Sequence, residues 1–411
     1  MTVSSYQQAV AVETPVPISW DYRFWLREVA GAFGDIGTFI PILIGVVQFA
    51  GMDAATILVF AGLVHLVTGL AFGIPIAVQP MKVIAALAIA GELTRAEVSV
   101  AGYSVAVCMV ILAKTGWIRC LDRMIPRALT SGIQLTVASK LAVKGLAVMG
   151  LSVQRAGLSV WGSVLVVLMT IALVALVCLP QYRQYLIFAL VLTGFAWACA
   201  ANPALWSSGA GLSVWRPTLT PLNAAALSGI WKGGFAQLPL TLLNSVFAVT
   251  LLAGQLYPAS TRRISTTQVA WSVGLMNMLT LPFGALPVCH GSGGLAAQHA
   301  CGARTGWSMI VLGTVKLTLG LLCGAAALKW LQAFPPLILG IFLVIAAWTL
   351  AKASRFWISR TSILCAVIAV AAYWLSGWLP LGFALGWFTH ALLSKYDRFA
   401  STGSIQSTKK E

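Results

Sequence analysis

Charge is what this chain lacks. Only 9% of its 411 residues are Asp, Glu, Lys or Arg and just 10 are acidic, against 59% hydrophobic residues and a mean hydropathy of +0.90. A soluble fold of this length cannot cover itself with so little polar surface, which excludes the water-soluble globular and disordered classes. In place of charge stands a near-continuous series of apolar runs from residue 29 to 394. Most approach the roughly 20 residues that a helix needs to cross the hydrocarbon layer. No stretch remains for a sizeable soluble domain. The expected fold is an all-α polytopic membrane protein in a lipid bilayer.

Other absences narrow the function. The eight cysteines include no CxxC and no paired spacing, so neither a disulfide framework nor a metal site is expected. The spans hold no HExxH, no Ser/His/Asp grouping and no paired carboxylates, which argues against an enzyme and implies no cofactor. The stretch before Trp20 is polar and carries Pro15 and Pro17, unlike a cleaved signal peptide. The net charge of +16 does not point to nucleic acid, because the Lys and Arg residues sit in short loops, where they set topology.

The apolar runs divide into two sets of seven. Spans are expected near 29–49, 54–72, 80–91, 98–113, 125–149, 160–179 and 184–200, then near 233–254, 267–281, 291–301, 307–328, 335–351, 361–376 and 379–394. The chain thus parses into a tail (1–28), a first repeat (29–200), a connector rich in Trp, Pro and Ser (201–232), a second repeat (233–394) and a second tail (395–411). "FGDIGTFIPILIGV" from Phe33 and "FAQLPLTLLNSVFAV" from Phe235 open the halves, and "GIPIAVQPMK" from Gly73 and "GALPVCHGSGG" from Gly284 recur at matching places. Seven spans per repeat force the second copy to enter from the opposite side, so the repeat is inverted. With both termini on one side, 17 of the 26 Lys and Arg residues fall on that side and 5 on the other. The positive-inside rule makes the termini cytoplasmic, in a cell inner (plasma) membrane.

Segments 80–91 and 291–301 are too short to cross. Each is expected to be a half-helix preceded by extended chain, the two meeting near the midplane, since unpaired backbone at membrane depth must find partners in protein or a cavity. Half-helix N-termini present bare N–H groups and the positive end of a dipole, and two facing one cavity form an anion site. Pro80 is placed in the first helical turn. Lys82 adds a full charge, and Met81, Gly291, Ser292 and Gly293 supply backbone, with Gln79 and His290 taken as equivalent flanking residues of the two repeats. Gln237, Thr241 and Asn244, spaced for one helix face, are expected to line the same cavity. Asp35, the one acidic residue inside a span, either pairs with Lys82, carries a coupling proton or serves a structural hydrogen bond. Lys140 and Lys144 share one face of the fifth span and touch either the site or a vestibule.

"FGDIGTFIP", "PIAVQPMKVIAA" and "LPVCHGSGGLAAQHACGARTG" resemble signature segments of the molybdate transporter family, a branch of the sulfate permease group. The likeness runs from about residue 28 to 394. It implies the seven-plus-seven fold shared with uracil permease and sulfate carriers, with spans 1–4 and 8–11 forming a core that moves against a gate of spans 5–7 and 12–14. It also implies a homodimer, and the absence of the C-terminal regulatory (STAS) domain of typical sulfate permeases. One departure is "TSGIQLTVASK", where Ser131 stands in place of an expected arginine. The function expected is proton-coupled import of molybdate, with Asp35 or His290 taking up protons. The rivals are a sulfate, tungstate or general oxyanion transporter, a nucleobase-proton symporter, which typically wants second-half carboxylates absent from 233–301, and an anion channel.

Overall fold

The computed structural model describes residues 22–118, 127–156, 183–202, 215–220, 224–258, 264–322, 329–353, 360–376, 381–382 and 384–393. Helices α1 (Tyr22–Ala32), α2 (Ile36–Ala50) and α3 (Ala54–Phe72) lead to strand β1 (Val78–Pro80) and the short α4 (Lys82–Ala90). After these come α5 (Arg95–Thr115), α6 (Arg127–Ala156) and α7 (Arg183–Ala201). The second half comprises α8 (Ala224–Leu256), α9 (Thr266–Thr280), strand β2 (Val288–His290), the short α10 (Ser292–Ala300), α11 (Trp307–Leu322), α12 (Pro336–Ala353) and α13 (Arg360–Ser376), then α14 (Ala384–Leu393). A helix occupies every expected span except 160–179, which lies outside the described residues. Three described helices, α3, α5 and α8, are long and apolar enough to cross a membrane by length and composition.

The first expected span is not one helix. Its first residues belong to a separate helix, Tyr22–Ala32, which lies mostly within the stretch read as a tail, and a 3-10 turn at Phe33–Asp35 parts that helix from α2. The turn lets α10 approach, since a Cβ on Gly34 would stand 2.8 Å from the Ala297 carbonyl oxygen. α8 likewise begins at Ala224, inside the expected connector, and two π-helical stretches, Ile230–Gly234 and Thr241–Phe247, interrupt it around Pro239.

The halves meet where the sequence breaks its own helices. Gly73 ends α3 in the left-handed conformation (φ 70°), and the prolines of 74–80 keep the following chain extended. β1 and β2 pair antiparallel, with Val78 opposite His290, Gln79 opposite Cys289 and Pro80 opposite Val288. Pro80 therefore ends the strand instead of opening the helix, and Met81 is the N-cap of α4. The pairing continues one residue beyond each strand, as Met81 N–H donates to Pro287 O (2.8 Å) and Gly291 N–H to Ala77 O (3.1 Å). Each half thus satisfies the backbone that the other exposes at membrane depth.

Helix packing shows the same two-fold relation. α3 packs along α11 and α5 along α9, and exchanging the halves turns one pair into the other. α6 packs mainly on α12 and α13, forming a second group. The α3–α11 crossing is held close by glycine. A Cβ on Gly62 would stand 2.7 Å from Gly313 O, and a Cβ on Gly313 would stand 2.8 Å from Gly62 O. Without side chains at these positions the backbones touch, which favours helix association in lipid.

Candidate functional site at the half-helix junction

α4 and α10 each span nine residues and begin at the paired strands. Their N-termini bring two helix-start sets of N–H groups, which have no partner within their own helix, and two dipole ends to one place. Lys82, the first residue of α4, is partly exposed. Among the described residues its ammonium has no hydrogen-bond or ion-pair partner. On the facing helix, Ser292 is partly exposed and Gly293 exposed, and no heavy atom lies within 4 Å of where a Gly293 Cβ would be. The junction is therefore an open, positively charged space bounded by buried chain.

α8 supports both half-helix starts. Gln237 Oε1 accepts from Val83 N–H (2.9 Å), and Gln237 Nε2 donates to Thr241 Oγ1 (3.0 Å). One turn further on, the Ser292 hydroxyl donates to Asn244 Oδ1 (2.9 Å). The expected polar stripe thus exists, with Gln237 serving the first half-helix and Asn244 the second. The Thr241–Phe247 π stretch begins after Gln237 and contains Asn244, and π turns in helices frequently mark functional sites.

Four expected site residues sit differently from their reading. The N–H groups of Met81 and Gly291 are consumed by the strand pairing, and Met81 is 0% exposed, so neither offers a donor to a ligand. His290 is not the counterpart of Gln79. The register equates Gln79 with Cys289, and directly paired residues share a face while neighbours alternate. His290 therefore faces away from Gln79, with Nε2 2.9 Å from Ser272 Oγ and its ring edge-on to Phe72. Gln79 itself is buried and its amide lies over Gly291, where any Cβ would collide with it. The Asp35 side chain lies outside the described residues, as does that of Ser131.

Cys289, which has no place in the site expected from sequence, is beside Gln79, against Ser245 and close enough to Lys82 to sense its charge. Lys140 does not reach the junction. It pairs with Glu92, just past the end of α4, and its ammonium lies 4.0 Å from the centroid of Tyr373, whose hydroxyl donates to Glu92 Oε2 (2.8 Å). Lys144 lies over the Phe49 ring. Both lysines of α6 thus bridge α6 to the α2 and α4 ends.

The chain matches the family model described as "Molybdate transporter of MFS superfamily" over residues 27–141 and 229–350. Both half-helices, both strands and α8 from Gly229 onward fall within those ranges. Molybdate transporter 2 of Arabidopsis thaliana is 31% identical over 413 residues, covering 89% of this chain and 87% of that protein. Molybdate transporter 1 of Chlamydomonas reinhardtii is 30% identical over 486 residues, covering 92% and 93%. Among solved structures, the transmembrane domain of the cyanobacterial bicarbonate transporter BicA aligns with a TM-score of 0.59 at 16% identity, covering 89% of this chain and 98% of that one. That likeness is one of fold.

Proposed function

This chain belongs to the molybdate transporter family, a family whose named members are transporters and not enzymes, and from that premise we propose that it imports molybdate by secondary active transport. The oxyanion binds at the half-helix junction. The observation that carries this reading is the Lys82 ammonium, partnerless among the described residues, at the point where two half-helix N-termini meet. Around it, the Ser292 hydroxyl and the Gly293 backbone complete the contacts, while the buried Gln79 amide backs Gly291 beside them and Gln237 and Asn244 position the two helix starts. Backbone N–H groups and one ammonium read charge and size, so sulfate and tungstate are the competitors to test.

A dianion entering a negative-inside cell climbs about 2.3 kcal/mol per charge per 100 mV, so accumulation needs co-transported cations, and protons are the proposed coupling ion. His290 has a buried Nδ1 with no partner and stays a coupling candidate, as does Asp35. Retention of the wild-type pH dependence by Asp35→Asn and His290→Gln removes them. In the same reading the group containing α3–α5 and α8–α11 carries the substrate past the group containing α6, α12 and α13, in a homodimer of the plasma membrane with cytoplasmic termini.

The test is uptake of labelled molybdate into proteoliposomes under an imposed inward pH gradient. Accumulation against a concentration gradient that excess sulfate barely inhibits supports molybdate import. Equal inhibition by sulfate widens the substrate to tetrahedral oxyanions. Equilibration without accumulation points to a channel and sinks the secondary-active reading.

A further inference from the structure

At the α3–α11 crossing, three residues past the touching Gly62 and Gly313, two basic side chains face each other in a dry pocket. His65 is 0% exposed and Lys316 5%. His65 Nδ1 lies 2.6 Å from Ala61 O, so Nδ1 carries the hydrogen and donates, leaving a lone pair on Nε2. Lys316 Nζ stands 3.4 Å from that Nε2 and 3.5 Å from the centroid of Phe39. The glycine contact already provides the close packing, so it does not require a cation. Ionisable groups at membrane depth are costly and are retained for pathways and relays.

We propose that His65, conditioned by Lys316, is the group that takes up the proton carried with the oxyanion; this rests on the transport reading above. In the empty protein the pair holds one positive charge, the Lys316 ammonium donating to His65 Nε2. A second proton would place imidazolium against ammonium 3.4 Å apart, which Coulomb repulsion in a buried site opposes. An anion arriving nearby removes that opposition. The proton, taken from solution, then bonds to His65 Nε2, and Lys316 gives up its N–H···N contact to that atom. Loss of the oxyanion restores the repulsion and expels the proton on the same side, so the two travel together.

The surroundings permit this. His290, on β2 just before α10, packs its ring edge-on against Phe72, the last residue of the helix that carries His65, so the strand that leads into α10 touches the pocket's own helix. Glu28 of α1 caps the N-terminus of α11 at Ser308, two turns before Lys316. Asp53 is engaged with Thr56 at the far end of α3. Arg216 follows Trp215, whose N–H donates to Leu321 O at the other end of α11. α9 and β1 carry no titratable side chain, and α2 carries none beyond the Asp35 turn before it. Among the described residues no Lys or Arg is within hydrogen-bonding distance of His290, so it lacks the neighbour that makes protonation conditional on the anion.

Linkage makes the effect reciprocal: with one proton taken up per oxyanion, affinity changes by up to about tenfold per pH unit. The experiment adds molybdate to purified protein in weakly buffered solution between pH 7 and 8 and reads proton uptake with a pH dye, alongside Kd at each pH. Wild type is expected to take up as much as about one proton per bound molybdate. His65→Asn, whose amide nitrogen keeps the bond to Ala61 O, is expected to bind molybdate without proton uptake and with a Kd that is flat in pH. Lys316→Met provides an independent variant: losing the ammonium lets His65 protonate before the anion arrives, moving the pH dependence to higher pH. His290→Gln is expected to keep the uptake. Wild-type proton uptake in His65→Asn, an unmoved profile in Lys316→Met, or molybdate binding by wild type without proton uptake overturns this inference and leaves oxyanion binding standing. Absence of molybdate binding by wild type overturns the oxyanion reading and this inference with it.

Discussion

Replacing Gly291 by alanine tests the junction through one contact. Its backbone (φ −114°, ψ 116°) is extended and open to any residue, so Gly291→Ala introduces no backbone strain. The whole cost comes from the new methyl group, which would collide with the Gln79 carboxamide and lie 3.0 Å from its Cγ. Gln79 is only 2% exposed and its strand is held by pairing with β2, so it cannot swing away freely. Overpacking of this kind costs about 1–3 kcal/mol. Shortening Gln79 makes room for the methyl, so Gln79→Ala/Gly291→Ala should recover most of that loss. The expected coupling between the two substitutions is about 1–2 kcal/mol, within the range seen for residues in contact. Thermal unfolding of the four proteins in one detergent, scanned at one rate, reads the cycle. Molybdate affinity read in parallel should fall in both single variants, because each disturbs the amide beside the site. A double variant that melts below Gly291→Ala, or a Gly291→Ala protein that melts and binds like wild type, refutes the packing described for the junction.

Other outcomes follow from the same geometry. Gln237→Leu removes the acceptor of Val83 N–H at the start of α4 and leaves a buried donor unpaired. It should cost about 1–3 kcal/mol and weaken molybdate binding, with unchanged affinity counting against a positioning role. Glu92→Gln weakens the contacts with Lys140 and Tyr373. These are partly exposed, so the shift should be about 1 kcal/mol, near fivefold in population. It should appear as a changed alkylation rate of a Gly293→Cys reporter, and an unchanged rate shows that the pair is no lock between the two groups. Glu28, outside the membrane-spanning segments, accepts from the N–H groups of Arg304, Thr305 and Ser308. Burial raises its pKa above 4.5, while these donors pull it down. The folded protein therefore holds this proton more tightly than the unfolded chain, and the group's contribution to stability falls as pH rises from 4.5 through the raised native value. Glu28→Gln should flatten that part of the stability profile in denaturation across pH, and an unaltered slope assigns it elsewhere.

The half-helices were legible because proline and glycine cut otherwise long apolar runs at Gly73, Pro80 and Gly291, leaving segments too short to span. The proposal that they form an anion site rests on helix-end chemistry and one lysine. The equivalence of Gln79 and His290 was misread because a three-residue strand has no pattern of its own. Its facing parity is fixed only by the partner, which pairs Gln79 with Cys289. His65 and Lys316 gave no separate signal, being single basic residues in apolar runs 251 positions apart. The clue present in the sequence was a glycine three residues before each, which becomes informative only when α3 and α11 are known to cross there. Lys140 was assigned to the cavity or its vestibule because helix periodicity gives a face and not a depth, and the depth brings it to Glu92 instead.

The central claim is that an oxyanion is held at the junction by Lys82 and two half-helix N-termini. Equilibrium binding of labelled molybdate to purified wild-type, Lys82→Ala and Lys82→Arg proteins tests it most directly, with thermal unfolding checked for each. Loss of a charge-assisted contact of about 1.5–3 kcal/mol predicts roughly 10- to 150-fold weaker binding in Lys82→Ala, with partial recovery in Lys82→Arg. Wild-type affinity in a folded Lys82→Ala protein would place the substrate elsewhere and contradict the account.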